Sequence, residues 1–333
     1  MKPLLEKVQR QLFLSLSWPH KPPTCTYRED CLSIVIPALN EAACIENTIH
    51  LIWERSALYL PSANADRRQS IHQASSSPST IRYVEVIVVD GGSSDETLLQ
   101  ACRGAPWWHA AHLRVTRLPP LARPARANQM NYGASIAQGA YLMFLHADTV
   151  LPWSYPQIVY RTLQQTGHPS GGDSVPNTRT VGAFSLSFPP ALPLLRLVAW
   201  GANVRAKLLR QPYGDQAYFM RRETFETLGG FAHDWPFLED VEFTRRARQR
   251  FGWRHGIVVA PERLQTSARR YERLGVVRAV LLNQFILVAH FFGIGCNTLA
   301  TWYRGMLPGG PAPNARPKAA EPSPSRPDPR GHR

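Results

Sequence analysis

Residues 83–102 read YVEVIVVDGGSSDETLLQAC, and the order of textures in that stretch decides the fold. An unbroken apolar, β-branched run ends at Asp90 and two glycines, after which Ser94 or Asp95 stands where a helix needs a side-chain cap. Strand, glycine turn and helix in that order open a βαβ unit, whose right-handed crossover leads to a parallel neighbour. A strand with no polar alternation is covered on both faces, as parallel strands are.

The same texture recurs on both sides. CLSIVIPALNE (31–41) reads as a buried strand and a turn, with a helix from Ala42 to about Leu58. LRVTRL (113–118) is a third strand, followed by a helix around Ala127–Gln138. YLMFLHADTV (141–150) supplies a fourth strand over 141–145 that emerges in His146, Ala147 and Asp148. Further on, VGAFSLSF and GIVVAP read as strands and LPLLRLVAWGANVRAKLLR as a helix. The prediction is an α/β fold, a mainly parallel sheet flanked by helices. Ligands of such sheets sit at the carboxyl ends of the strands, and Asn40, Asp90 and Asp148 all fall there.

With 333 residues, 44% hydrophobic and 10% aromatic, the chain is globular and long enough for one large core. It is expected to divide into an N-terminal extension (1–30), a domain over 31–305 with halves at 31–150 and 151–305, and a Pro-rich tail (306–333). Polar stretches at 61–80 and 164–180 read as surface insertions. Cys25, Cys31, Cys44, Cys102 and Cys296 form no CxxC pair, which argues against a disulfide framework or a structural zinc site and for a reducing cytosol. A formal net charge of +14 admits nucleic acid, an anionic membrane surface or a phosphate-bearing substrate as partner. No RNP, zinc-finger or helix-turn-helix signature is present, so nucleic acid is set aside. The apolar stretch 276–300 is interrupted by Arg278, Asn283, Gln284, His290 and Asn297, and reads as a packed or interfacial helix rather than a membrane span. The expected location is the cytoplasm, extending to a peripheral position on the inner face of the membrane.

Several constellations carry chemistry. Asp148 of HADT is a hard oxygen ligand suited to Mg²⁺ or Mn²⁺, or else a turn cap before Pro152. Glu239 and Asp240 in FLEDVEFTRR open a helix, either as caps or, with the helix dipole favouring the ionised form, as a general base. Arg126, Gln129 and Asn131 offer donors near a helix start, and Arg269 and Arg270 follow the last strand. Arginines in such places meet a diphosphate bidentately or simply face solvent. The glycines after Asp90 belong to no GxGxxG or GxxxxGK[ST] pattern.

Taken in order, LSIVIPALNEAACIENTI, VEVIVVDGGSSDET, GAYLMFLHADT, YGDQAYFMRRETFETLGGF and FLEDVEFTRRAR resemble family 2 glycosyltransferases of the GT-A fold over roughly residues 31–305. The similarity is greatest to the bacterial branch associated with radical-SAM and selenodomain proteins and with arsenosugar biosynthesis. The resemblance implies inverting transfer from a nucleotide-sugar donor to a small-molecule or lipid hydroxyl, assisted by Mg²⁺ or Mn²⁺. It implies a donor site drawn from Pro37, Asn40, Glu41, Asp90, Ser93, Arg126, Gln129, Asp148 and Arg270. It further implies metal contact by Asp148 with His146 beside it, Asp240 as base next to Glu239, and Gly214, Asp215 and Gln216 on the acceptor side. Gly91 stands where the broad family often has a second aspartate, and His146 where it has an acid. The QxxRW motif of processive synthases is absent near RARQRFGWRH, which implies single transfer. Two other readings are open: a nucleotidyltransferase-like enzyme, which would want a Gly-rich basic loop after the first strand where PALNEAA stands, and a non-catalytic basic scaffold on a membrane surface.

Overall fold

The computed structural model describes residues 27–56, 81–106, 112–120, 122, 125–164, 179–190, 193–233 and 235–306. The expected insertion at 61–80, the extension through residue 26, most of 164–180 and the tail beyond Met306 lie outside the described residues.

Among the described residues eight strands form one sheet: β1 (Arg28–Ala38), β2 (Tyr83–Asp90), β3 (Leu113–Arg117), β4 (Gly139–Phe144), β5 (Thr149–Val150), β6 (Val181–Ser187), β7 (Tyr218–Arg221) and β8 (Ile257–Thr266). Their order is β3-β2-β1-β4-β7-β6-β8-β5. The first four strands are parallel to one another, as the sequence implies. β7 then runs antiparallel between β4 and β6, while β6 and β8 pair in parallel. The helices are α1 (Ile45–Arg55), α2 (Thr97–Arg103), α3 (Arg126–Ile136), α4 (Tyr155–Gln164), α5 (Pro193–Leu208), α6 (Arg222–Thr227), α7 (Glu239–Phe251), α8 (Arg269–Leu274), α9 (Val276–Phe291) and α10 (Cys296–Met306). The result is the mixed α/β fold with a mostly parallel sheet that the alternation of strands and helices anticipates.

Strand pleat divides the core into two layers, because successive side chains point to opposite faces. Ile34, Ile36, Val86 and Val88 pack with Ile45, Ile49 and Ile52 of α1 on one face. Val35, Ile87, Val89 and Phe144 pack with Met130 and Ala134 of α3 and with Phe231 and Phe243 on the other. Burial of both faces explains why these strands read as continuous apolar runs. A third, smaller cluster joins Leu238 to Leu282, Ile286 and Ala289 of α9 and Leu299 of α10.

Register places the functional edge. Ala38 pairs with Asp90 across β1 and β2, and Val35 with Phe144 across β1 and β4, so the carboxyl ends of three strands stop side by side. Arg222, 4% exposed, secures the opposite end: its guanidinium donates to the carbonyls of Ala134 and Ala137, left over at the end of α3, and to that of Gly139.

Two boundaries differ from the sequence reading. β1 begins at Arg28, inside the expected extension, because Arg28 to Asp30 continue the strand past the sheet's covered region as exposed or half-exposed charged residues. The apolar stretch 276–300 is two helices, α9 and α10, with Gly293 at φ +86° between them. No helix among the described residues is long and apolar enough to cross a membrane. Cys31, Cys44, Cys102 and Cys296 are free thiols, and burial pushes Cys31 and Cys44 up to about 12.

Close packing of α3 on β1 rests on Gly133, where an added Cβ would collide with Cγ1 of Val35. In an open helix Gly→Ala stabilises by about 1 kcal/mol, whereas overpacking a tight core costs about 1–3 kcal/mol. Gly133→Ala is therefore expected to lower stability by about 1–2 kcal/mol in urea unfolding. A gain in stability would show that α3 does not sit this close to β1.

Candidate active site

The turn after β2 is built around one carboxylate. Asp90 is fully buried, and its oxygens accept from the backbone N–H groups of Gly92 (3.2 Å) and Ser93 (3.1 and 3.2 Å), while Arg117 pairs with it at 3.4 Å. Asn40, in the left-handed region at φ +56°, accepts the Ser94 N–H through Oδ1 at 2.9 Å, and its own N–H donates to Ser93 Oγ at 2.9 Å. The ends of β1 and β2 are thus cross-linked into one rim. Asp90 organises that rim from beneath. Its oxygens are turned into the loop.

A second group of charges converges around Gly214. The Gly214 N–H donates to Asp240 Oδ2 at 2.9 Å, and a Cβ at this glycine would lie 3.2 Å from His146 Nε2 and 3.7 Å from Arg126 Nη1. Pro37, Arg126, His146, Gly214, Glu239 and Asp240 line one cleft over an apolar floor that includes Phe144, Tyr218 and Phe231. Asp240 sits at the first turn of α7, where its Oδ1 also accepts the Val241 N–H at 2.8 Å. That carboxylate is oriented by two N–H groups and remains half-exposed at the cleft. Glu239 is 5% exposed and pairs with Arg126 at 3.3 Å; burial raises its carboxyl above the ordinary range in spite of the arginine.

His146 Nε2 lies 3.1 Å from Arg126 Nη1. Burial and the Arg126 charge hold the ring well below its usual value, so it is neutral at pH 7. A guanidinium can only donate, so Nε2 is the acceptor and the ring proton sits on Nδ1. Asp148 and Glu41 share a different arginine: Arg269 Nη2 lies 2.8 Å from Asp148 Oδ2 and 2.7 Å from Glu41 Oε2. Both carboxylates hold that guanidinium above its ordinary range.

The site residues expected from sequence therefore separate by role. Pro37, Arg126, His146, Gly214, Glu239 and Asp240 share a cleft; Glu41 and Asp148 form the neighbouring cluster; Asn40, Asp90 and Ser93 build the rim. Gln129 is 5% exposed and directs Nε2 at the carbonyls of Ala38 (2.9 Å) and Val89 (2.7 Å). Gln216, fully buried, donates to the Phe184 carbonyl at 2.9 Å. Both glutamines position backbone. Arg270 turns toward Asn283 Oδ1 and the Tyr303 ring, and its neighbour Arg269 is the one that meets Asp148. Of the arginine pair singled out after the last strand, the donor set implied by the resemblance kept Arg270, and Arg269 is the one that belongs to this cluster.

Asp215 lies beside Asp240 with its Oδ1 buried and lacking a hydrogen-bond partner. Burial pushes its carboxyl up to about 6, the Asp240 charge adding to the rise and Arg205 opposing it.

As for a divalent metal, no group of three or more His, Cys, Asp and Glu side chains is gathered for one among the described residues. Mg²⁺ and Mn²⁺ can be held by one or two carboxylates together with substrate phosphates, and Asp148 fits that mode: a 23%-exposed carboxylate whose partner is an exchangeable guanidinium. His146 Nε2 is engaged by Arg126, which leaves Asp148 as the group to hold a metal.

Residues 33–169 match the family model described as Glycosyl transferase family 2. Among solved structures, this chain is similar to the mannosyltransferase PcManGT from Pyrobaculum calidifontis, in complex with GDP-Man and Mn²⁺, at 19% identity over 93% of this chain and 74% of that one, TM-score 0.49. It is similar to S. aureus TarS 1-349 at 15% identity over 72% of this chain and 62% of that one, TM-score 0.46. For M. tuberculosis glucosyl-3-phosphoglycerate synthase the values are 19% identity, 72% and 71% coverage, and TM-score 0.42. The chain spans less than two thirds of the TarS fragment it matches. No curated protein matches the chain. The matched span contains β2 to β5 and β1 from Ser33 onward, the strands whose ends form the rim and the Asp148 cluster.

Proposed function

We propose that this protein is an inverting, single-transfer glycosyltransferase that moves a sugar from a nucleotide-sugar donor to an acceptor hydroxyl. The observation that carries this reading is Asp240: a half-exposed carboxylate at a helix start, aimed by the Gly214 and Val241 N–H groups into a cleft it shares with Arg126. The acceptor oxygen attacks the anomeric carbon from the face opposite the diphosphate. The new C–O bond forms as the bond to the diphosphate oxygen breaks, the acceptor's proton passes to Asp240, and the nucleoside diphosphate leaves. Arg126 and Arg269 stabilise the charge that develops on the leaving group. A divalent metal held by Asp148 would add Lewis-acid stabilisation of the same oxygens. The Asn40–Ser93–Ser94 rim presents backbone and hydroxyl groups to the nucleoside. Glu239, paired with Arg126, keeps that guanidinium at the cleft. The narrower placement, beside the radical-SAM and selenodomain-associated branch, rests on the ordered sequence motifs alone.

Loss of a positioned base costs about 10²–10⁴-fold in rate. Asp240→Asn is expected to lose transfer by that factor while nucleotide-sugar binding, measured by calorimetry, stays within about twofold; unchanged turnover would remove Asp240 from the role. Across a panel of UDP- and GDP-sugars in thermal-shift experiments, at least one donor should raise the melting temperature, with a larger rise when Mn²⁺ is present. In Asp148→Ala the Mn²⁺-dependent part of that rise should vanish, and an undiminished Mn²⁺ effect would take Asp148 out of metal contact.

Asp215 gives a stability prediction independent of turnover. Its native value, about 6, is above the usual 3.8, so the native state binds this proton more tightly than the unfolded chain. Ionised Asp215 therefore destabilises the fold above pH 6, and the penalty fades as the pH falls from about 6 toward 4. Asp215→Asn should stabilise the protein by about 1–3 kcal/mol at pH 8, with the two melting curves converging near pH 4. A gain of the same size at both pH values would mean that Asp215 is not the group that titrates.

A further inference from the structure

α9 is apolar nearly all round, a composition expected of a helix covered on every side, yet among the described residues only one of its faces is covered. Ala279, Leu282, Ile286 and Ala289 point inward. Val277, Leu281, Phe285, Val288 and Phe292 recur at helical spacing on the outward side, and Phe291 is 85% exposed. α5 packs against α9 and repeats the pattern. Leu195, Ala199 and Ala206 are buried, while Leu194, Leu197, Leu208 and Trp200, the last 64% exposed, face out. Single exposed apolar residues are ordinary, but two adjacent helices with outward apolar stripes mark a contact surface.

Charge identifies what covers it. Residues 193–210 contain Arg196, Arg205, Lys207 and Arg210, residues 276–306 contain Arg278 and Arg304, and neither stretch has a single Asp or Glu. Arg196 and Lys207 are exposed, and so is Arg278, which donates to the Met306 carbonyl at 3.2 Å and keeps its charge. A second copy docking through this face would set like charges against like. Apolar stripes carrying Trp and Phe, bordered by Lys and Arg, complement the anionic headgroups and outer acyl region of a bilayer. We infer that α5 and α9 form a docking surface for an anionic lipid membrane, on which the protein lies without spanning it. The surface adjoins the site: Arg205 of α5 stacks over Tyr213, next to Gly214, and α9 begins one residue after α8, whose Arg269 meets Asp148. The inference stands apart from the transfer reaction, since lipid binding is measured without donor or acceptor.

The experiment is co-sedimentation of the full chain with vesicles of phosphatidylcholine alone, or with about a third phosphatidylglycerol, across a sodium chloride series. Binding should require phosphatidylglycerol and weaken with salt. The Phe285→Ser/Phe292→Ser pair should lower affinity at least tenfold, and Leu197→Ser/Trp200→Ser on α5 should do the same if the first pair fails to fold. Arg196→Gln/Arg278→Gln should cost about fivefold per charge. Leu99→Ser, on an exposed leucine of α2, should bind as the parent does. The inference is overturned by a parent chain that stays in the supernatant, by equal binding to neutral vesicles, or by stripe variants that bind as tightly as the parent. A dimer seen in light scattering that the serine pairs dissolve, while vesicle binding persists, would assign the face to a second copy instead.

Discussion

One buried amide holds the reactive edge in shape. β1 and β2 run in register to Ala38 and Asp90 and must then part, leaving carbonyls that no further strand pairing satisfies. Gln129, from the first turns of α3, donates to the Ala38 and Val89 carbonyls at once, and the Gly91 N–H adds a second bond to Ala38. A buried polar group left without partners would cost about 1–3 kcal/mol, so this arrangement fixes where both strands end. It also crowds residue 91. A Cβ there would stand 3.0–3.1 Å from the Gln129 amide atoms, tight enough that the amide would have to give by a few tenths of an ångström. A glycine at position 91 leaves the Gln129 amide in place, which is a packing reason for it within this chain.

The charges above that edge are paired with one another or with backbone N–H groups. Arg126 is held by Glu239 and His146, Arg269 by Glu41 and Asp148, and Asp240 is satisfied by backbone N–H groups. On the proposed reading, a diphosphate entering this edge offers both arginines a doubly charged partner, and taking Arg269 away from Asp148 frees that carboxylate for a cation. The neutral His146 fits the same logic. A charged ring beside Arg126 would set two cations in contact, and burial together with the arginine keeps it uncharged.

The parallel half of the fold was legible because its signal is local. Apolar runs such as SIVIPA and VEVIVVD, each closed by a polar turn, announce strands buried on both faces, and their ends announce the edge. What could not be read was long-range. β7 reverses direction to enter between β4 and β6, and YFMR is too short a run to reveal its partners. The functional edge was legible as a list, but its division into rim, cleft and Arg269 cluster depends on which side chains turn inward. Asp90 looked like a ligand and is the buried post of its own turn. Gln129 looked like a donor to substrate and donates to backbone. Arg269 and Arg270 are indistinguishable in sequence, and only the helical rotation of α8 decides which faces Asp148.

That rotation has a mechanical consequence. Adjacent positions on a helix point about 100° apart, so one short helix sends Arg269 to the Asp148 and Glu41 carboxylates and Arg270 to Asn283 of α9 and Tyr303 of α10. The last element of the sheet, β8, delivers the chain into α8 through Thr266, which is paired with Thr149 next to Asp148. The Asp148 edge and the outward helices are therefore joined twice over a few residues, by a strand pairing and by consecutive guanidinium contacts. A protein lying on a bilayer through α9 would hold its Asp148 cluster at a fixed height above the lipid, because no flexible segment intervenes between Thr266 and Val276: the chain there is a two-residue link, a helix and Gly275.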